Sequence, residues 1–391
     1  MDLFEKCFRY DAPQKAKEAG LYPYFHALST AQDTEVFMDG KRIIMLGSNN
    51  YMGLVSDERL KHAAITAIEK YGTGCSGSRF LNGTLKLHEE LEEEFAKFFN
   101  KPAALSFSTG FQTNLGTVSA LMGMHDYILS DAENHASIVD ATRLSFCKKT
   151  IKYRHNDMDS LEEKLKNLPA ENGKLIVTDG VFSMGGDIAN LPHIIRLAKK
   201  YGARVMVDDA HGAGMIGKNG RGTASYYGLE DETDIIMTTF SKAFGSLGGI
   251  IATSKEVVNF IKHTSRPFIF SASIPPASAA AALEALDIIK KEPERQKNLY
   301  DISNYMREKL KEANIPIMDG ETAIIPVYTY TTQRTFIIAK MLFEGGVYVN
   351  PVVAPAVHEN ECLLRTSYTA THTKEQIDHA ASIFKEVFSK V

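Results

Sequence analysis

The run Thr238-Thr239-Phe240-Ser241-Lys242-Ala243-Phe244-Gly245 sets a lysine just after an apolar, β-rich stretch, with hydroxyls before it and glycines after it. A lysine leaving a buried strand loses solvent, which lowers its ammonium pKa and frees an amine able to form an imine. Thr239 and Ser241 are suited to an anionic phosphate. A lysine in such a place is more often a solvated loop residue, so the run gains meaning only in company. A second run, Val205-Met206-Val207-Asp208-Asp209-Ala210-His211-Gly212, ends an apolar strand on a carboxylate. Burying that charge is costly unless a cation meets it, and a protonated pyridine nitrogen would be such a cation. His211, three residues on, is within reach of a phenolic oxygen on the same ring. The competing reading is a metal pair of Asp208 or Asp209 with His211, but no further ligands lie nearby in the sequence.

Two more runs complete the set. In Ser108-Thr109-Gly110-Phe111 a strand turns into a helix, and free amides at a helix N-terminus bind phosphate. Alone, such a turn is usually an ordinary helix cap. In Asp131-Ala132-Glu133-Asn134-His135, an imidazole follows a strand and could lie flat on a planar ring. A lone histidine there is usually a capping or core residue. The four runs come in the order phosphate turn, stacking histidine, aspartate with histidine, lysine, and each follows an expected strand.

The positioning elements are legible as an α/β alternation from about residue 57 to 290. Strands are expected at Ala103–Phe107, Asp126–Leu129, Lys174–Thr178, Arg204–Val207, Asp234–Thr238 and Gly249–Ala252, with helices at Lys86–Phe99, Phe111–Met122, Leu161–Leu168 and Leu191–Tyr201. Such alternation predicts a mostly parallel sheet between helices, with ligands beyond the carboxyl ends of its strands. A charged helix at Glu292–Ala313 leads into an expected smaller α+β domain: β-rich Ala323–Thr331, a helix at Thr335–Glu344, a strand at Val347–Val349 and a last helix from Lys374. The expected division is an arm of one helix and a short hairpin at 1–50, a large domain at 51–290 and a small one at 291–391.

The rest of the composition excludes more than it assigns. A net charge of −4 gives no cationic surplus for nucleic acid or an anionic membrane. Four scattered cysteines, Cys7, Cys75, Cys147 and Cys362, suggest neither a disulfide framework nor a zinc site and fit a cytoplasmic protein. No apolar run reaches membrane-spanning length. Phe98-Phe99 and the Met122–Met124 region are read as packing rather than an acyl-chain tunnel, and His125, His193 and His372 are assigned no metal.

From Gly47 (GSNNYMGL) to His372 (LLRTSYTATHT) the chain resembles the α-oxoamine synthases, fold-type I enzymes dependent on pyridoxal 5'-phosphate (PLP). The resemblance implies Lys242 as the Schiff-base lysine, Asp208 at the pyridine nitrogen, His211 and Ser183 near the phenolic oxygen and His135 stacked on the ring. It implies Gly110, Phe111, Thr239 and Ser241 at the phosphate, with Ser271 to Ser273 arriving from the second subunit of a homodimer. Asn50 and Arg365 match positions that contact the amino-acid carboxylate, to which His135 would also hydrogen-bond. Within the family, Gly77-Ser78-Arg79-Phe80-Leu81-Asn82-Gly83-Thr84, Arg154-His155-Asn156-Asp157 and Arg266-Pro267-Phe268-Ile269-Phe270-Ser271-Ala272-Ser273 look most like the bacterial serine palmitoyltransferase branch. The expected reaction is decarboxylative condensation of L-serine with a long-chain acyl-CoA. The alternative is glycine C-acetyltransferase chemistry or another amino-acid and acyl-CoA pair. Asp209 departs from the glutamate usual in the family at that position.

Overall fold

The computed structural model describes residues 2–391. Its strands are β1 (Glu35–Met38), β2 (Lys41–Met45), β3 (Ala103–Phe107), β4 (Tyr127–Asp131), β5 (Lys149–Tyr153), β6 (Lys174–Asp179) and β7 (Arg204–Asp208). They continue with β8 (Ile235–Thr239), β9 (Gly249–Thr253), β10 (Ile324–Tyr330), β11 (Val347–Tyr348), β12 (Asn350–Val352) and β13 (Cys362–Ser367). Seven of them form the central sheet in the order β3-β9-β8-β7-β6-β4-β5, parallel throughout except for β9, which runs against both neighbours.

The sheet lies between two apolar layers, and the period of two along each strand assigns residues to them. Val205, Val207, Ile236, Ile250 and Ala252 join the layer that includes Phe95, Phe99 and Phe244, while Met206, Ile235, Met237 and Ile251 join the layer around Val118, Ile138 and Ile261. Strands β4, β6, β8 and β9 are buried at every position, which explains why they are continuous apolar runs rather than alternating ones. Phe98 and Phe99 pack in the core, as expected, and so does Met122, whereas Met124 is exposed.

Local signals set the helix ends. Leu191–Tyr201 starts with Pro192 in its first turn and stops at Gly202, whose φ of 65° is the left-handed conformation a helix C-terminus favours. Thr109 caps Gly110–Leu121 by accepting from the Gln112 amide. The last helix, Lys374–Phe388, opens on a capping box of Thr373 and Gln376.

The sheet-edge strand β5, KTIKY, was not expected: its lysines interrupt the apolar run, because the edge position leaves it only partly covered. Strands β12 and β13 were also unanticipated. They pair antiparallel with each other, and β13 with β10, in a second sheet. The arm holds two short helices, Glu5–Phe8 and Ala12–Glu18, rather than one, because Pro13 in the first turn of the second restarts the helix. Its hairpin β1-β2 is present, and β2 pairs in parallel with β11, so residues near both ends of the chain share a third sheet. Among the described residues no helix is long and apolar enough to cross a membrane.

Directly after β7, the fully buried Asp209 anchors the following loop by accepting from the Thr223 amide at 2.6 Å and the Thr223 hydroxyl at 2.7 Å. The glycines around this carboxylate leave no slack: a Cβ on Gly212 would lie 1.8 Å from one of its oxygens and a Cβ on Gly222 1.9 Å from the other. An acid shorter than glutamate matches that tightness. Gly222 also has a φ of +82°. Gly222→Ala should therefore lower stability by at least about 2 kcal/mol, read as a shift of the urea midpoint at constant slope; an unshifted midpoint would show that the loop yields.

Candidate active site

Five strand ends deliver the chemistry to one cavity of about 250 Å³. β3 leads to Thr109, Gly110 and Phe111; β4 to His135; β6 ends on Asp179; β7 on Asp208, followed by His211; β8 leads to Thr239, Ser241 and Lys242, and all of them line the cavity. A groove of about 880 Å³ between Glu58–Tyr71 and Pro276–Lys291 contains none of the expected site residues.

The turn into Gly110–Leu121 forms part of the cavity wall. Geometry leaves its first amides without intrahelical partners, and those of Gly110 and Phe111 remain once Thr109 has capped Gln112. Opposite them, Thr239 Oγ1 lies 2.9 Å from Ser241 Oγ and donates to the Gly248 carbonyl at 2.9 Å. The helix approaches so closely that a Cβ on Gly110 would stand 2.7 Å from Thr239 Oγ1, so glycine is required there. Amide donors, a helix dipole and two hydroxyls make an anion site.

The middle of the cavity is an array of buried ionisable groups. Asp208, 3% exposed, accepts from Asn114 Nδ2 at 2.6 Å and the Ala210 amide at 3.0 Å. Asp179 pairs with it across β6 and β7; burial, and then the Asp208 charge, hold the Asp179 carboxyl well above the usual carboxylate range. Asp179 in turn accepts from the His135 amide at 3.0 Å, and His135 Nδ1 lies 2.7 Å from Ser137 Oγ. Burial lowers the His135 pKa against the opposing pull of Asp208. Asp209 turns to Thr223 instead of the cavity, so no Asp208, Asp209 and His211 set converges on a metal.

Lys242 Nζ lies 2.7 Å from His211 Nε2. Burial pushes the lysine down to about 8, although Asp208 favours its charged form. Burial, then the Lys242 and Arg365 charges, hold His211 well below the usual histidine range. His211 Nδ1 lies 2.7 Å from the Tyr51 hydroxyl, which accepts from Arg365 at 3.0 Å and donates to Asn49 Oδ1 at 3.1 Å. Arg365 donates again to Asn49 Oδ1 at 3.0 Å and to the Ser183 carbonyl. The string Lys242, His211, Tyr51, Arg365 thus runs from the amine to a buried guanidinium.

Most residues singled out in the sequence meet here. Ser183 enters through its carbonyl on Arg365 rather than as a cavity-lining hydroxyl. Asn50 is 3% exposed; its Oδ1 accepts from the Leu54 and Val55 amides, and its Nδ2 has no partner among the described residues. Ser273 does not line the cavity of its own chain: its hydroxyl donates to the Gly77 carbonyl at 3.1 Å, while Ser271 accepts from Gln112 at 2.9 Å. Sequence reading missed Asn49, Tyr51, Asn114 and Asp179. Asp179 was within reach of the rule that ligand groups follow strands, since the expected strand stops one residue before it.

The expected cofactor fits these residues. Asp208 is a buried carboxyl group that accepts from neutral amides and has no ion-pair partner among the described residues, so a pyridinium would complement it. The anion site at Gly110 suits a phosphate, and Lys242 lines the same cavity with a lowered pKa. The neutral fraction of such an amine grows as pH rises through about 8 and then saturates. In cofactor-free protein the rate at which Lys242 condenses with added PLP, followed by absorbance, should rise through about pH 8 and level off. A rate that climbs only near pH 10.5 would mean that the ammonium is not destabilised.

A model of the family described as aminotransferase class I and II matches residues 41–384. The chain is 51% identical over 388 residues to serine palmitoyltransferase of Sphingobacterium spiritivorum, covering 99% of this chain and 97% of that one. It is 44% identical over 375 residues to 8-amino-7-oxononanoate synthase of Thermosipho melanesiensis, covering 96% of each. A solved structure of SPT with PLP superposes at a TM-score of 0.96 with 34% identity, covering 100% of this chain and 99% of that one. With the cradle just described, these matches show that the chain belongs to the aminotransferase class I and II family, as a fold-type I enzyme of the α-oxoamine synthase kind.

Proposed function

We propose that this protein is a PLP-dependent acyltransferase that condenses L-serine with a long-chain acyl-CoA, palmitoyl-CoA in the first instance, to give 3-ketosphinganine, CoA and CO2, the entry step of sphingolipid synthesis. The observation that carries the reading is the string from Lys242 Nζ through His211 and Tyr51 to Arg365, which links a cavity amine to a cation suited to an amino-acid carboxylate. Identity of 51% to a serine palmitoyltransferase supports serine as the amino acid.

Lys242 and Asp208 would hold the cofactor at its aldehyde and pyridine nitrogen, Gly110, Phe111, Thr239 and Ser241 its phosphate, His211 its phenolic oxygen, and His135 its ring face. Bound PLP supplies an electron sink for charge developing at the amino-acid α-carbon. Arg365 and Asn50 receive the substrate carboxylate; the orphaned Asn50 amide is a donor already stripped of water. Lys242, with its pKa near 8, takes the α-proton. The α-carbon would then attack the thioester carbonyl, CoA would leave as a thiolate that takes a proton from water, the carboxylate would depart as CO2, and Lys242 would return its proton to the α-carbon. His135, neutral because it is buried, can hydrogen-bond that carboxylate.

The protein would work as a homodimer in which Ser271 to Ser273 of one chain complete the phosphate site of the other. Their absence from the lining of their own cavity supports this, as do the exposed Phe270 beside them in the chain and the exposed Phe80 and Leu81 of the 77–83 loop to which Ser273 bonds. We place it in the cytoplasm, with peripheral contact to a membrane when the acyl chain is delivered. The chain division at 1–50, 51–290 and 291–391 belongs to the same proposal. A second reading, another amino-acid and acyl-CoA pair such as glycine with acetyl-CoA, shares every catalytic residue and draws support from the 44% identity to 8-amino-7-oxononanoate synthase.

Purified protein with PLP, offered serine, glycine or alanine and a series of acyl-CoAs, should form 3-ketosphinganine from serine and palmitoyl-CoA, identified by mass. Product from glycine or alanine alone would select the second reading. Lys242→Ala should lose the cofactor's visible absorbance and turn over about 10²–10⁴-fold more slowly; a variant retaining both would remove the lysine from the chemistry. Arg365→Lys, which keeps the charge but loses the planar fork, should raise the serine KM about 10-fold with little change for acyl-CoA; an unchanged serine KM would relocate the carboxylate.

A further inference from the structure

The chemistry so far leaves unused a half-buried histidine that is held by carboxylates on both ring nitrogens. His155 belongs to the Arg154-His155-Asn156-Asp157 turn that follows β5, where Asn156 has a φ of 51° and Asp157 caps the next helix by accepting from the Ser160 amide. Both ring nitrogens meet carboxylates: Nδ1 lies 2.9 Å from Asp131 and Nε2 lies 3.0 Å from Asp187, with Glu133 at 3.7 Å. Phe182 packs nearly perpendicular to the ring at a centroid distance of 4.4 Å. Asn156 duplicates the bridge, its amide donating to Asp131 at 2.8 Å and its side chain to the Ile188 carbonyl at 3.0 Å.

The two acids stand at the roots of different parts of the site. Asp131 ends β4 and starts the short loop to His135, where it accepts from the Glu133 amide at 2.9 Å. Asp187 closes the turn 181–188, its carbonyl accepting from the Phe182 amide at 3.0 Å, and this turn presents the Ser183 carbonyl to Arg365. We propose that His155 is a positioning residue for the amino-acid substrate: by bridging Asp131 and Asp187, it fixes the His135 loop relative to the turn that aims Arg365. The inference rests on the proposed roles of His135 and Arg365 at the substrate carboxylate.

The bridge is charged under working conditions. Burial opposes the charge on His155, but the hydrogen bonds and charges of Asp131 and Asp187 outweigh it and raise the pKa to about 10. Hydrogen bonds between ions are stronger than neutral ones, so a neutral replacement weakens the bridge even where its shape is kept.

The test is His155→Gln and, separately, Asp187→Asn, each purified with PLP and titrated with serine while cofactor absorbance is followed. Asp187→Asn keeps the His155 contact to Asp131 and serves if the glutamine variant does not fold. Loss of the bridge should weaken serine binding about 10-fold, the scale of a lost charged hydrogen bond, and leave the KM for acyl-CoA within a factor of about two. Serine affinity equal to that of the unmodified protein in a folded variant overturns the inference, and so does an equal loss for both substrates accompanied by a lower melting temperature. If the unmodified protein itself shows no response to serine, the functional reading fails and this one falls with it.

Discussion

Two carboxyl groups, Asp179 and Asp208, end adjacent parallel strands in register and are buried within the same cavity. A buried carboxylate costs several kcal/mol unless its charge is answered, and two side by side cannot both ionise cheaply. The structure separates them by chemistry: Asp179 is held toward its protonated form, while Asp208 is given amide donors from Asn114 and Ala210. What remains is a carboxylate lacking a fixed counter-ion beside a lysine whose own charge is destabilised by burial. Each of these groups is poorly served by the protein alone, and a single ligand bearing a ring cation and an aldehyde would satisfy both. Such a ligand binds the folded chain and not the unfolded one, so its binding free energy adds to stability.

The remaining parts follow from this core. His211 joins the amine to Tyr51, and Tyr51 joins His211 to Arg365, so one string of hydrogen bonds crosses from the central sheet to β13. The crossing segment, residues 46–51, is tied on its other side: Leu46 donates to Tyr348 and accepts from Ser367, and the Tyr51 carbonyl accepts from the Ala370 amide. Neither imidazole near the lysine is suited to carry a proton charge. That leaves Arg365 as the cation whose charge bears on the amine.

The parts legible in sequence were those whose signal is local. Strands buried on both faces are unbroken apolar runs, and β3, β6 to β9 and the helix Leu191–Tyr201 are found within one residue of where those runs place them. Lys242, Asp208, His211 and His135 were legible because each directly follows such a run. β5 was hidden because an edge strand half-exposed to water looks like a charged loop. β13 was hidden although it carries Arg365: the apolar part of CLLRTS is two leucines long, and it becomes a strand by pairing with β10 and β12. Tyr51 and Asn49 could not be assigned locally, since their partners lie 160 and more than 300 residues away in the chain.

That last separation bears on how the protein is made. Synthesis proceeds from the N-terminus, and segments fold as they emerge. Every group of the cofactor cradle, from Thr109 to Lys242, is available once β9 has left the ribosome. Arg365 lies on the second-to-last element, and until it arrives, Asn49 and Tyr51 have no guanidinium to hold. A nascent chain can therefore assemble the half around Lys242 before the half around Arg365 exists, and, on the roles proposed for these two residues, the competence to act on an amino acid comes only when translation is nearly complete.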